Sequence, residues 1–188
     1  GIFEGHINAF WNSWEKIADA RFHGDLDVRD LRAQVPFFKP LVELQTHVNL
    51  NQDALLIEQF VFKTEGSTLL ANGRLNNYRQ NPLADLKIQL PHVNLAPLIQ
   101  GLNLPALKST QAMHPRGVLM GHVNLKGALE KISAVGHLNL SSLDMEDLHL
   151  TEAKTDFTYA NNQAQGKIAL KAGRWQKIQI NDLDSKYH

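Results

Sequence analysis

One stretch of the chain decides the fold: it reads Val42-Glu43-Leu44-Gln45-Thr46-His47-Val48-Asn49-Leu50. Aliphatic residues fall at positions 42, 44, 48 and 50, and polar residues fall between them. A period of two places the aliphatic side chains on one face of a β-strand and the polar side chains on the other. The stretch therefore predicts a strand of an antiparallel sheet that has one apolar face and one face in water.

The same alternation recurs along the rest of the chain. It is clear in the windows 85–90, 121–126, 136–140, 166–170 and 176–180. It is weaker in the windows 24–31, 55–63, 69–75 and 151–159. Turn-forming residues cluster between these windows, at 51–53, 65–67, 76–82 and 161–163. Strands joined by short turns form hairpins, so the sequence predicts an all-β fold with more than half of the residues in strands.

Two segments depart from the period of two and are predicted to be short helices. In residues 94–101, Asn94 can cap the start, Pro97 is tolerated in the first turn and Gly101 can end the helix. Residues 9–20 carry apolar residues at helical spacing. The fold class is thus a single long, curved antiparallel β-sheet with one or two short helices.

The chain also repeats itself. The tripeptide His-aliphatic-Asn occurs five times, and Gly5-His6-Ile7-Asn8 is matched by Gly121-His122-Val123-Asn124 in the second half. We therefore predict a first β-repeat at 1–83 and a second at 84–188, which together form one continuous fragment. The chain starts at Gly1 without Met, so we expect it to be a piece of a longer protein.

Composition excludes several classes of function. The 188 residues contain 19 Lys+Arg and 19 Asp+Glu, whereas proteins that bind nucleic acid carry a basic excess. No nucleic-acid partner is expected. Cys is absent, which excludes disulfides, thiolate metal sites and a Cys nucleophile. No apolar run is long enough for a membrane-spanning helix, so this piece is expected to be soluble.

The polar residues do not form a recognisable catalytic or metal-binding motif. Nine His are present, but the repeated polar neighbour of the histidines is Asn, a poor ligand for transition metals. The acidic residues at 25, 27, 144, 146 and 147 lack EF-hand spacing, and no serine lies in a GxSxG turn. We expect no enzyme activity, no cofactor and no metal.

An apolar face that recurs over many strands must be covered. A second sheet would make a sandwich, packed helices would make an α+β domain, and a curled sheet would leave an apolar groove. The predicted helices are too short to cover many strands. The period of two does not separate a sandwich from a groove.

If the sheet curls, one set of aliphatic side chains lines the groove, and its Leu-rich composition suits acyl chains. The predicted lining consists of Val42, Leu44, Val48, Leu50, Leu86, Ile88, Leu90, Val123, Leu125, Leu138, Leu140, Ile168, Leu170, Ile178 and Ile180. Their neighbours on the other face should lie in water, among them His47, Asn49, Lys87, His122, Asn124, His137 and Asn139.

The order of segments in the second half resembles a known repeat. The strand 86–90 leads into Val93-Asn94-Leu95-Ala96-Pro97-Leu98-Ile99, and the glycine-bounded strand 117–127 and the strand 133–140 follow. This order resembles the repeat of the TamB family, the large AsmA-like proteins of diderm bacterial envelopes. The resemblance covers residues 84–183 and, more weakly, 1–75.

The resemblance implies a taco-like or gutter-like sheet, a repeating β-groove that bridges the periplasm. It implies passage of phospholipid toward the outer membrane and a full-length protein anchored in the inner membrane. The implied partners are phospholipid or another acyl-chain ligand and an Omp85-type outer-membrane barrel. Two alternatives stay open: a chaperone-like scaffold for the insertion of outer-membrane β-barrels, and an inert structural β-sandwich domain.

Overall fold

The computed structural model describes residues 1–10, 21–35, 38–102 and 113–187. Within them, eleven strands form one sheet. The strands are β1 (Ile2–Phe10), β2 (Arg21–Val35), β3 (Phe38–Leu50), β4 (Ala54–Thr64), β5 (Ser67–Asn76), β6 (Leu83–Asn94), β7 (Arg116–Ala128), β8 (Ser133–Met145), β9 (Leu148–Ala160), β10 (Gln163–Trp175) and β11 (Ile178–Tyr187). One helix, α1 (Leu95–Gly101), follows β6, and a 3₁₀ turn (Leu129–Lys131) joins β7 to β8.

The spatial order of the strands is their order along the chain. Each strand is antiparallel to the next, and within the described ranges β1 and β11 each pair on one side only. The sheet is therefore open. Strands account for most of the described residues, which confirms the predicted all-β fold with a single curved antiparallel sheet. The described residues contain no second sheet packed on the first, so they do not form a sandwich.

The two helix predictions have different outcomes. Helix α1 confirms the prediction for residues 94–101, although the Asn94 side chain makes no capping hydrogen bond. Instead, the Asn94 backbone N–H donates to Ser67 Oγ at 2.9 Å. The prediction for residues 9–20 is wrong at positions 9 and 10, because both belong to β1 and pair with β2. Residues 11–20 lie outside the described part of the chain.

Helix α1 reaches from the end of β6 back to the start of β3. Leu102, directly after the helix, forms an isolated antiparallel bridge with Phe38. Gly101 leaves space for the Phe38 ring, since a Cβ at this position would lie 2.6 Å from Phe38 Cε2. The helix therefore contacts β3 as well as its sequence neighbours β6 and β7.

The most tightly packed side chains lie near this end. Phe38 and Val42 in β3 are the largest fully buried side chains, with 2% and 0% exposure. The Phe38 ring meets the edge of the Phe62 ring at a centroid distance of 6.1 Å and an angle of 66°. Thr64 at the end of β4 is also buried, and its hydroxyl donates to the Leu41 carbonyl at 3.3 Å.

Several strands contain irregularities that shift the apolar phase. The pairing register shifts after Val28 in β2, after Ile57 in β4 and after Leu90 in β6. In each case the next apolar residue on the same face comes three positions later instead of two. Such bulges bend the strand and increase its twist. They explain why the alternation is weak in two of these strands, and they contribute to the curvature of the sheet.

The two halves of the chain share their pairing register. Gly5 lies opposite Leu26 in the β1–β2 pair, and Gly121 lies opposite Leu138 in the β7–β8 pair. The sequence repeat is thus also a structural repeat, with β7 equivalent to β1. The sheet runs without interruption across the predicted division between residues 83 and 84, because β6 pairs with both β5 and β7.

Candidate functional site: an uncharged sheet face

The pairing register shows which side chains share a face, since residues directly opposite one another point to the same side of a sheet. Following these pairs across the strands gives four rows. The first contains Leu26, Val48, Ile57, Gly73, Leu86, Leu125, Ala134, Tyr159 and Ala164. The second contains Val28, Thr46, Phe60, Ala71, Ile88, Val123, Gly136, Phe157, Gly166 and Tyr187. The third contains Leu90, Gly121, Leu138, Thr155, Ile168 and Ser185, and the fourth Val93, Leu119, Leu140, Ala153, Leu170 and Leu183.

These four rows, which we name the apolar face, contain no Asp, Glu, Lys, Arg or His. Their polar members are hydroxyl side chains such as Thr46 and Thr155. A charged side chain on such a surface would lose hydration without gaining an ion-pair partner. Because the rows contain no charged side chain, the surface is uniformly uncharged. The face therefore extends, uncharged, from β2 to β11.

The structure places most of the predicted lining residues together on this face. Ten of them lie in the four rows: Val48, Leu86, Ile88, Leu90, Val123, Leu125, Leu138, Leu140, Ile168 and Leu170. Three more lie in β3, in phase with Val48: Val42 is opposite Ala33, Leu44 is opposite Phe62 and Leu50 is opposite Leu55.

The two predicted residues of β11 occupy other positions. Ile178 pairs with Trp175, and Ile180 pairs with Gly173. Ser185 and Leu183 are the residues that lie opposite Ile168 and Leu170 and so extend the third and fourth rows. Ile178 is 61% exposed at the edge of the sheet.

The predicted lining residues differ in burial. Val42 is completely buried and Ile168 is 39% exposed. The others within the rows or in β3 are half-buried: Leu44, Val48, Leu50, Leu86, Ile88, Leu90, Val123, Leu125, Leu138, Leu140 and Leu170. Half-burial on a single sheet arises when curvature and neighbouring side chains shield a surface that no second layer covers. Among the described residues, this face is therefore partly shielded, and no second sheet lies over it.

Two aromatic side chains lie over glycines of the neighbouring strand. A Cβ at Gly136 would lie 2.6 Å from Phe157 Cε1, and one at Gly166 would lie 2.6 Å from Tyr187 Oη. The Tyr187 hydroxyl also lies 3.2 Å from Thr155 Oγ1, so its polar end has a partner. The rings therefore fill the space left by the glycines and keep this end of the apolar face continuous.

The opposite face carries the charge. One row across it contains Gln89, His122, His137, Asp156, Lys167 and Lys186. Ion pairs cross its strands, such as Lys126 Nζ to Asp85 Oδ2 at 3.5 Å. Of the residues expected in water, Lys87 and His122 are exposed, and His47, Asn49, Asn124, His137 and Asn139 are half-buried. We name this side of the sheet the polar face.

Hydrogen bonding from lysines perturbs one carboxylate on the polar face. Lys154 donates to Glu152 at 2.8 Å, and Lys171 lies 3.7 Å away. The hydrogen bond from Lys154, aided by the positive charge of both lysines, lowers the pKa of Glu152 below its ordinary value. Glu152 therefore stays ionised to a lower pH than a free carboxylate.

Sequence reasoning missed several members of the apolar face. Leu26 and Phe60 lie in the bulged strands β2 and β4, where the change of phase hides the alternation. Leu119 and Phe157 lie in predicted strands, but only the pairing register shows that they continue the rows. The weak windows 24–31 and 55–63 were the available signal for the first pair.

The described residues hold no group of three or more His, Cys, Asp and Glu that could bind a metal ion. Across the same ranges, no helix has the length and apolar character needed to cross a membrane. Comparison of the chain with family models, with curated proteins and with solved structures gives no match.

Proposed function

We propose that this chain is a segment of a periplasm-bridging β-groove protein. Its function is to shield apolar cargo, foremost phospholipid acyl chains, during transport to the outer membrane and envelope biogenesis. One observation carries the proposal: a single open sheet presents a continuous uncharged face from β2 to β11, and no second sheet among the described residues covers it.

The area and the length of the apolar face both suit acyl chains. Each CH₂ group removed from water contributes about 0.8 kcal/mol, so a long apolar surface can hold an acyl chain without a specific pocket. Nine spacings between the ten strands β2 to β11 make a path of about 43 Å across the strands, at about 4.8 Å for each spacing. An acyl chain is about 15 Å long, half the hydrocarbon thickness of a bilayer. The face is therefore long enough for a chain to move along it.

The resemblance to the TamB repeat supports the same proposal. On this reading, the groove lies in the periplasm of a diderm bacterium, and the full-length protein is anchored in the inner membrane. An Omp85-type barrel in the outer membrane is then the expected protein partner. The structural repeat of β1–β2 in β7–β8 suits a groove that is built from successive units.

The proposal is tested by asking whether the purified chain carries and binds lipid. Native mass spectrometry and lipid extraction should show bound phospholipid after expression in a diderm host. A fluorescent phospholipid whose emission depends on polarity should bind saturably. A protein free of lipid that also gives no saturable binding would contradict the proposal.

One observation favours a second candidate, a scaffold for strands of outer-membrane barrels. The outer edge of β11 has no partner strand among the described residues. β11 also carries exposed apolar side chains, since Ile178 is 61% and Leu183 is 50% exposed. Such an edge can pair with an incoming strand. Photocrosslinkers along β11 should then capture a nascent barrel protein, whereas crosslinks confined to the apolar face would contradict this candidate.

A further inference from the structure

A row of titratable side chains, four basic and one acidic, crosses the second half of the polar face. His122, His137, Asp156, Lys167 and Lys186 lie directly opposite one another in turn, on the five strands β7 to β11. Adjacent strands are about 4.8 Å apart, so the functional groups of this row are close neighbours. We name it the His137 row.

The charges within the His137 row are not balanced. Lys167 lies directly opposite Lys186, and like charges at directly opposite positions destabilise a sheet. The one carboxylate of the row, on Asp156, is held by His137 Nδ1 at 2.7 Å. Asp156 lies directly opposite Lys167, but among the described residues neither ammonium group of this pair forms an ion pair, whereas other lysines, such as Lys126, do. A local conflict of this kind is typical of a binding site.

The same residues line a concave part of the surface. A cavity of about 540 Å³ is lined by the whole His137 row and by residues of the rows on either side of it: Val135, Thr158 and Gln165 of the polar face, and Gly136, Phe157 and Gly166 of the apolar face. A smaller cavity of about 390 Å³ adjoins it; both lysines also line this cavity, together with Lys154 and Asp184. Both cavities are open to solvent, and the larger one is big enough for a phosphorylated small molecule or a lipid headgroup.

The donors around this cavity are of several kinds. The Gln165 amide and the Thr158 hydroxyl line the same cavity as the two ammonium groups. Both can donate hydrogen bonds without adding charge. At the other end, the His122 and His137 rings are 6.1 Å apart between centroids. Ammonium groups and neutral donors around one concavity suit a tetrahedral oxyanion, because each of its oxygens accepts hydrogen bonds.

We propose that the His137 row forms a binding site for a phosphate-bearing ligand, with Lys167 and Lys186 as the principal contacts. Lys167 and Lys186 belong to the polar face, so the site goes beyond the proposed function and does not depend on it. The phosphate is supplied either by the headgroup of an anionic lipid or by a soluble phosphate compound. Both sources present the same oxyanion to the lysines.

The site is tested by nuclear magnetic resonance of the labelled chain during titration with inorganic phosphate at constant ionic strength. Saturable shifts should be confined to the amides of the His137 row, Thr158 and Gln165. The double variant Lys167→Gln/Lys186→Gln should bind phosphate about tenfold more weakly, because it loses two charged hydrogen-bond donors. The variant Lys167→Arg/Lys186→Arg keeps the charge and should retain binding.

A matched control comes from the same face. Lys87 is exposed in β6 and lies opposite Asn72 and Asn124, so Lys87→Gln should leave phosphate binding unchanged. Absence of saturation, or equal affinity in the wild type and the Lys167→Gln/Lys186→Gln variant, would overturn the proposal.

A second arm separates the two sources of phosphate. Vesicles of phosphatidylglycerol and of phosphatidylcholine are compared in a sedimentation assay. Binding to the phosphatidylglycerol vesicles that requires Lys167 and Lys186 supports the site with a lipid headgroup as its ligand. Saturable binding of inorganic phosphate, with no dependence of vesicle binding on these lysines, supports the site with a soluble phosphate compound as its ligand.

Discussion

A charge placed in the groove should block lipid binding and leave the sheet folded. The most informative change is Leu125→Asp, because Leu125 is half-buried in the first row, opposite Leu86 and Ala134. Loss of a half-buried leucine costs about 1 kcal/mol, half of the value for full burial. The partly desolvated carboxylate adds about 1–3 kcal/mol. The sum is smaller than the 5–15 kcal/mol that typically stabilises a domain.

The control for this variant is the adjacent residue on the polar face. Asn124 lies opposite Lys87, so the carboxylate of Asn124→Asp meets a cation and should change the free energy of unfolding by less than about 0.5 kcal/mol. We expect Leu125→Asp to lower the melting temperature by about 5–15 °C and to weaken binding of a fluorescent phospholipid at least tenfold. Asn124→Asp should bind lipid like the wild type.

Two results would refute this reasoning. Complete unfolding of Leu125→Asp, measured by circular dichroism, would show that the apolar face is a closed core. Unchanged lipid affinity in a folded Leu125→Asp variant would show that lipid does not use this face. Comparison with Asn124→Asp removes the effect of adding one negative charge to the chain.

Four other changes test the packing and the electrostatics. Phe38→Ala should cost about 3–5 kcal/mol in chemical unfolding because the ring is fully buried, whereas Ile168→Ala, at a 39% exposed position, should cost less than about 1 kcal/mol. Gly121→Ala should cost at least about 1–3 kcal/mol, because its φ of 147° disfavours a side chain and the new Cβ would collide with a carbonyl of β8; wild-type stability would contradict this. Lys154 lowers the pKa of Glu152, so the stability from this carboxylate is present at neutral pH and is lost as the pH falls through the lowered folded-state pKa. Thermal unfolding of Glu152→Gln between pH 7 and 3 should show lower stability at pH 7 and a smaller acid-induced decrease than the wild type, and parallel curves would contradict this.

The sequence predicted the apolar face where strands are regular. In β3, β7 and β8 the period of two is unbroken over the window of interest, so one-dimensional alternation is enough to assign faces. In β2 and β4 the alternation was not enough to assign the faces, because a bulge moves the next apolar residue by one position. In β11, alternation identified Ile178 and Ile180, but the register places Leu183 and Ser185 opposite the groove residues of β10. Which strand phases join into one row depends on long-range pairing, which no local pattern contains.

For helix α1, too, the local sequence predicts some features, and others depend on long-range packing. Its bounds match the local prediction, but the Asn94 side chain makes no capping hydrogen bond, and Gly101 is the last helical residue before an extended Leu102. Its contact with Phe38 depends on how far the sheet curves between β3 and β6, and this is a property of several strands together. The His137 row could not be predicted from the sequence either, because its members come from five separate strands.

In the proposed function, lipid lies on the apolar face and not on the polar face. The most direct measurement is a photocrosslinking scan through β6, with a photoreactive residue placed in turn at Leu86, Lys87, Ile88 and Gln89 of the chain expressed in a diderm host. Leu86 and Ile88 belong to the apolar face, and Lys87 and Gln89 to the polar face. The account predicts phospholipid adducts, detected by mass spectrometry, at positions 86 and 88 and not at 87 and 89. Adducts of equal yield at all four positions, or no adducts at 86 and 88, would contradict it.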